Sequence, residues 1–179
     1  MQKIMFDDRF GLTDAVFELR KNMTRRFAEK VLIEDDNGEL RWNGEFKKPR
    51  YKVGEVVAVA QRYSDFRWLA PQRSDFQEIL HSVGWNNKMY VRADLMPTRI
   101  RITSWRRERI QEICDEDCLK EGILAGNVEP KMYGFQNGKH KESYFTPREA
   151  FAALIKKMAG KKAWDDNPWV DVYEFELVI

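Results

Sequence analysis

Tyr51-Lys52-Val53-Gly54-Glu55 followed by Val56-Val57-Ala58-Val59-Ala60 reads as a turn feeding straight into a strand. The run from Val56 to Ala60 is apolar throughout, the pattern of a buried strand in the wall of a small barrel. Immediately upstream, Phe27 to Ile33, then Asp35-Asp36-Asn37-Gly38, then Leu40 to Trp42 predicts a hairpin. Asn37-Gly38 supplies the positive φ angles of a tight turn. Before it lies a basic stretch, Arg20-Lys21-Asn22-Met23-Thr24-Arg25-Arg26. A short helix is expected over Asp14 to Arg20, with Thr13 as its N-cap and Ala15, Val16 and Leu19 apolar. Lys3 to Phe6 reads as a first short strand.

Downstream, residues 64 to 90 are irregular. Ser74-Asp75-Phe76-Gln77 has capping-box spacing before a short helix that ends near His81. Met89 to Ala93 and Arg99 to Arg107 are expected strands. In the second, Ile100 and Ile102 alternate with Arg99, Arg101 and Thr103, giving one apolar and one polar face. Asp115 to Glu121 reads as a short helix that Gly122 ends. Residues 123 to 145, rich in Gly, Asn and Lys, read as a surface excursion. Thr146-Pro147-Arg148-Glu149 combines an N-cap, Pro at the first helical position and the Glu of a capping box. Ala150, Phe151, Leu154, Ile155 and Met158 then form a stripe, closed by Gly160. A last strand runs from Trp169 to Val178, with Tyr173, Phe175 and Leu177 on one face. Short strands with few helices predict an α+β, mainly β architecture: a small barrel with short helices packed outside, not a βαβ alternation.

Composition narrows the function. The chain has 179 residues, 34% of them charged and 43% hydrophobic, enough for one domain with a real core. No apolar run approaches the roughly 20 residues of a membrane helix, and the first residues lack the apolar core of a signal peptide, so the expected location is the cytoplasm. Net charge is +2, from 31 basic and 29 acidic residues, so any preference for an anionic partner rests on local clusters. Cys114 and Cys118 with His81 and His140 are too few for a zinc site without carboxylates, and no metal or cofactor is expected. The two cysteines read as small buried side chains, the two histidines as surface residues. The sequence has no Gly-rich phosphate loop, no G-x-S-x-G and no H-E-x-x-H.

Four segments taken in order carry a resemblance. The first is Ala15-Val16-Phe17-Glu18-Leu19-Arg20-Lys21-Asn22-Met23-Thr24-Arg25-Arg26, similar to a helix followed by G-x-K-x-x-T-x-R. The second is Tyr51 to Val59. The third is Ile110-Gln111-Glu112-Ile113 with Asp115-Glu116-Asp117-Cys118-Leu119-Lys120-Glu121-Gly122-Ile123. The fourth is Trp164-Asp165-Asp166-Asn167-Pro168-Trp169-Val170 and the closing strand. Together they resemble the ASCH domain family, and in pattern its phage and prophage members. The resemblance implies a single PUA-like barrel over residues 1 to 179, with insertions near 64–90 and 123–145. Two departures stand out: Leu19 occupies the place of a helix-ending Gly, and Gln61 stands where many phage relatives carry Glu.

The resemblance implies binding of RNA or of modified nucleosides. A branch of the family hydrolyses N4-acetylcytidine with a Lys, a Thr and a Glu, and the matching positions are Lys21, Thr24 and Glu121. The chemistry is coherent, since a Thr hydroxyl needs a neighbouring base and a buried Lys beside other cations gains base strength. As a plain basic face, Lys21, Arg25 and Arg26 would be solvated and Thr24 a turn residue. For a binding module, Arg20, Lys21, Arg25, Arg26 and Arg101 would hold phosphates. Lys47, Lys48, Arg50 and Lys52 form a second basic cluster and Arg99, Arg101, Arg106, Arg107 and Arg109 a third. Trp42, Phe46, Tyr51, Tyr63, Trp68 and Trp105 interleave with them as stacking candidates. The phage relatives add a third alternative, a protein-interaction or assembly role. The binding and hydrolytic readings both require Lys21, Thr24 and Glu121 to meet in one cavity.

Overall fold

A computed structural model describes residues 1–66 and 74–178. Trp68 lies outside these. The architecture is mixed α+β with more strand than helix. Strands β1 (Lys3–Ile4), β2 (Met23–Phe27), β5 (Val56–Val59), β6 (Arg99–Arg109) and β10 (Trp169–Val178) form the main sheet, in the order β1-β5-β6-β10-β2. β1 lies parallel to β5, and the other neighbours are antiparallel. Among the described residues no ladder joins β1 to β2. Instead the Arg26 Nη2 of β2 donates to the carbonyl of Met5, just past β1, at 2.6 Å, so the sheet curls until its two ends approach.

The apolar run at 56–59 is explained by two cores. Val57 and Val59 face a large cluster with Ile4, Ile100, Ile102, Val172 and Phe175, while Ala58 and Ala60 face a second cluster with Tyr63, Ile79, Val91 and Met96. β5 is buried on both faces and therefore needs no polar alternation. The segment after β5 is thus no mere loop: its helix α2 (Phe76–His81) contributes Ile79 to the second core. Asp75, not Ser74, occupies the helix cap position. The strand expected over Met89 to Ala93 does not form. Two single-turn 3-10 segments, Lys88–Tyr90 and Ala93–Leu95, take its place and insert Val91 and Met96 into the core.

β6 alternates as expected through Ile100 and Ile102, both fully buried. Its register against β10 then shifts, pairing Ile102 with Phe175 and Ser104 with Glu174, which skips Thr103. Such a bulge reverses which residues face inward and adds twist. It turns Arg106 and Glu108 toward the charged groups described below. The basic stretch before the hairpin is itself partly strand, as β2. The hairpin proper pairs β3 (Lys30–Glu34) with β4 (Leu40–Phe46) as a separate ribbon. Its turn is not an Asn-Gly pair. Asp35 accepts from the backbone of Asn37 and Glu39, and Gly38 alone carries the positive φ.

Helix α1 (Leu12–Phe17) starts on Gly11, so Thr13 lies inside the helix and not at its cap; its hydroxyl donates to Asp8 Oδ1 at 2.5 Å. α3 (Asp115–Lys120) ends on Glu121 and Gly122 as expected. The excursion at 123–145 is ordered: β7 (Leu124–Ala125), β8 (Tyr133–Asn137) and β9 (His140–Tyr144) form a three-stranded sheet that places Phe135 in the main core. α4 (Pro147–Ala159) carries the full capping box between Thr146 and Glu149. It buries Ala150, Phe151 and Leu154, while Met158 stays 36% exposed. α5 (Lys162–Asp165) follows, and its Trp164 meets Phe151 edge-on at 6.1 Å. Trp169 starts β10 under the guanidinium of Arg109. Cys118 is buried, its thiol pushed up to about 12 by desolvation, whereas Cys114 is exposed, against expectation. His81 and His140 are exposed.

Candidate functional site

The site lies at the seam where β1 and β2 approach. Leu19 delivers the chain to it. This residue adopts φ 59°, the left-handed conformation that a helix-ending Gly would supply without strain. Two residues later, Lys21 is 3% exposed. Its ammonium donates to the Met23 carbonyl at 2.7 Å, the Glu121 carbonyl at 2.8 Å and Glu121 Oε2 at 2.6 Å. An ammonium has three protons, and all three are placed. Burial pushes the Lys21 pKa down, opposed by Glu121, with Arg26 and Arg25 adding to the lowering. Glu121 reaches Lys21 because α3 stops there and Gly122, at φ 102°, turns the chain away.

Arg25 continues the cluster. Nη1 donates to Glu121 Oε1 at 3.1 Å, and Nη2 to Glu108 Oε1 at 2.6 Å and Asp117 Oδ2 at 3.0 Å. Arg106 closes it, pairing with Asp117, with Glu108 at 2.7 Å and with Glu174 at 3.3 Å. Burial works against the charge of Asp117, yet the hydrogen bonds from Arg25 and Arg106 prevail and hold its carboxyl below the usual range. Lys21, Arg25 and Arg106, with Lys120 at 3.7 Å from Asp117, thus meet four carboxylates. Sequence reasoning missed Asp117, Glu108 and Glu174 as members of the site; their only signal is acidic residues on two strands and a helix.

Lys21, Thr24 and Glu121 line one cavity of about 50 Å³, with Arg25, Arg26, Phe6 and apolar residues of α4. The requirement that the three meet is satisfied. The Thr24 hydroxyl makes no hydrogen bond among the described residues. The volume suits a few waters or a small acyl group, not a whole nucleoside.

A second cavity of about 410 Å³ opens beside it, and the two share Met5 and Arg26 in their walls. Lys3, Lys47, Lys48 and Arg50 join Arg26 around it. Its carboxylates are Glu29 and Asp171; Phe27, 48% exposed, gives it aromatic surface, while Tyr51 and Tyr173 line it almost wholly buried. Arg26 has a buried Nε without a hydrogen-bond partner among the described residues, and burial pushes its pKa down. This size is that of a small-molecule pocket.

Of the residues assigned to phosphates, Lys21, Arg25 and Arg26 come together, though Lys21 and Arg25 are committed to carboxylates. Arg20 and Arg101 do not join them. Arg20 pairs with Glu18 on the surface, and Arg101 pairs with Glu176 at 3.0 Å on the outer face of the sheet. The third basic cluster is largely neutralised: Arg107 pairs with Asp171 at 2.7 Å, and Arg109 donates to the Asn167 carbonyl and covers Trp169. Among the described residues no group of three or more His, Cys, Asp or Glu is arranged to hold a metal ion, and no helix is long and apolar enough to cross a membrane. No family model, no curated protein and no solved structure matches this chain.

Proposed function

We propose that the protein binds RNA or a modified nucleoside at the seam between β1 and β2, in a cytoplasmic, ASCH-type, PUA-like barrel. The observation that carries this reading is the 410 Å³ cavity, where Arg26, Lys47, Lys48 and Arg50 meet two carboxylates beside the exposed ring of Phe27, the Lys3 ammonium being held by the Met89 and Val91 carbonyls. Cationic groups with rings at hand are the usual equipment for phosphate neutralisation and base stacking. The curl of the sheet, with Arg26 spanning its two ends, supports the barrel. The test is the affinity of a short labelled single-stranded RNA measured at rising salt. The expected result is a linear fall of log affinity with log salt, with a slope of about −0.7 per phosphate bound. Absence of binding at low salt overturns the reading.

A second reading, hydrolysis of N4-acetylcytidine-like amides, is favoured by the convergence of Lys21, Thr24 and Glu121 in the small cavity. In this scheme the Thr24 oxygen attacks the acetyl carbon, and its proton passes to the neutral Lys21 amine. The tetrahedral oxyanion collapses, the C–N bond breaks, and the cytidine nitrogen leaves with that proton. Water then hydrolyses the acetyl-threonine ester to acetate and free Thr24. Lys21 must first lose a proton, a step that its burial assists and its bond to Glu121 resists. Purified protein incubated with N4-acetylcytidine is expected to release cytidine, and Lys21→Ala to release none. Release undiminished in the variant excludes Lys21 as the base, and no release from the wild type leaves binding alone.

A further inference from the structure

The strongest feature outside the Lys21–Glu121 chamber is the loop Lys47-Lys48-Pro49-Arg50. Its backbone is fixed from four sides. The Lys47 N–H donates to the Glu29 carbonyl at 2.8 Å, and the Arg50 N–H to the Tyr173 hydroxyl at 2.9 Å. Arg107 Nη2 donates to the Lys47 carbonyl and Gln2 Nε2 to the Arg50 carbonyl, each at 3.1 Å. Pro49 adds a fixed φ and biases Lys48 toward an extended conformation.

The side chains of this loop are treated the opposite way. Among the described residues neither Lys48 nor Arg50 enters a salt bridge, while Lys47 pairs with Glu29 at 2.9 Å in a solvent-exposed ion pair. Of the pocket's two carboxylates, Asp171 is taken by Arg107 at 2.7 Å and by the Trp105 indole N–H at 3.2 Å, and Glu29 by Lys47 at 2.9 Å. Arg26, on the wall shared with the small chamber, keeps a buried N–H unsatisfied. Ordering a loop is costly, and here it fixes the backbone that carries Lys48 and Arg50, two cations with no ion pair among the described residues. Such preorganisation is what an anionic ligand exploits.

We infer that the Lys47–Arg50 loop is a phosphate site, and that the ligand is therefore a nucleotide unit, phosphorylated, and not a free nucleoside. The phosphate sits against Lys48 and Arg50, the sugar and base lie along the exposed ring of Phe27, and the base edge points past Arg26 toward Thr24. The inference rests on the nucleoside reading above and narrows it. The phosphate has two possible sources, a mononucleotide or an RNA strand.

Calorimetric titration with cytidine, cytidine 5′-monophosphate and a short oligocytidylate tests it. The monophosphate is expected to bind about tenfold to a hundredfold more tightly than cytidine, the range for hydrogen bonds to charged groups. The double change Lys48→Ala with Arg50→Ala is expected to erase that ratio without lowering the unfolding temperature, since both side chains are exposed. If the oligocytidylate exceeds the monophosphate, the source is RNA; if they are equal, it is a mononucleotide. Cytidine binding as tightly as its monophosphate overturns the phosphate site and leaves the nucleoside reading standing. If none of the three binds, both fall. A ratio that survives the double change places the phosphate elsewhere and overturns the assignment.

Discussion

The molecule holds two concentrations of positive charge within one short stretch of structure, and they are built in opposite ways. In the chamber behind β2, Lys21, Arg25 and Arg106 are locked to Glu121, Asp117, Glu108 and Glu174. In the neighbouring pocket, Lys48 and Arg50 stand in solvent on a fixed backbone, with no ion pair among the described residues. Desolvation explains the contrast. A charge taken out of water is costly unless it is paired, so the buried Lys21 and Arg25 are held by carboxylates and become part of the structure. An exposed cation needs no such partner and remains available to a ligand. The same residue types thus serve architecture in one place and, in the function proposed above, recognition in the other.

The sharpest way to break this contrast is at its hub. Glu121→Gln leaves Lys21 and Arg25 facing a neutral amide, and is expected to cost about 3–5 kcal/mol in urea denaturation. Lys48→Ala or Arg50→Ala should stay within about 0.5 kcal/mol. Comparable losses at both places would erase the distinction.

Acid titration probes the same hub more gently. The folded-state pKa of Asp117 lies below its ordinary value of 3.8. Its contribution is therefore complete above about pH 4 and is lost as pH falls through the lowered value. Asp117→Asn should unfold with a flatter acid limb below about pH 4 than the wild type. An unchanged limb would mean that the carboxylate is not held by Arg25 and Arg106.

A smaller effect is expected at Leu19, which bears backbone strain in delivering Lys21. The side chain is 71% exposed, so little packing disappears on removing it. Leu19→Gly should stabilise the protein by about 0.5–1 kcal/mol, the left-handed penalty less the extra chain entropy of glycine. Destabilisation would show that the exposed leucine serves a packing role of its own.

Much of this is legible in the sequence. The capping box at Thr146, the alternation of Ile100 and Ile102 and the apolar run at 56–59 each predict the element that forms, because each is a local pattern with one physical reading. The strand expected at Met89 to Ala93 fails because Val91 and Met96 reach a second core that only tertiary structure reveals. Phe135 likewise gives the 123–145 segment a buried anchor that its Gly, Asn and Lys content conceals. At the site, Lys21 and Thr24 meet the distant Glu121 in one cavity, as both functional readings require. Which arginines are neutralised is not legible. That depends on a bulge at Thr103 and on carboxylates nearly a hundred positions away, as Glu121 is from Arg25.

The decisive measurement compares two double variants for affinity to a short labelled single-stranded RNA. Lys48→Ala with Arg50→Ala is expected to weaken binding about tenfold or more and to flatten the salt slope, by about 0.7 for each phosphate no longer held. Arg20→Ala with Arg101→Ala, whose charges are paired on the surface, is expected to leave both unchanged. The reverse order, or an equal weakening by the two double variants, would contradict the claim that the fixed loop beside β2 is where this protein meets its ligand.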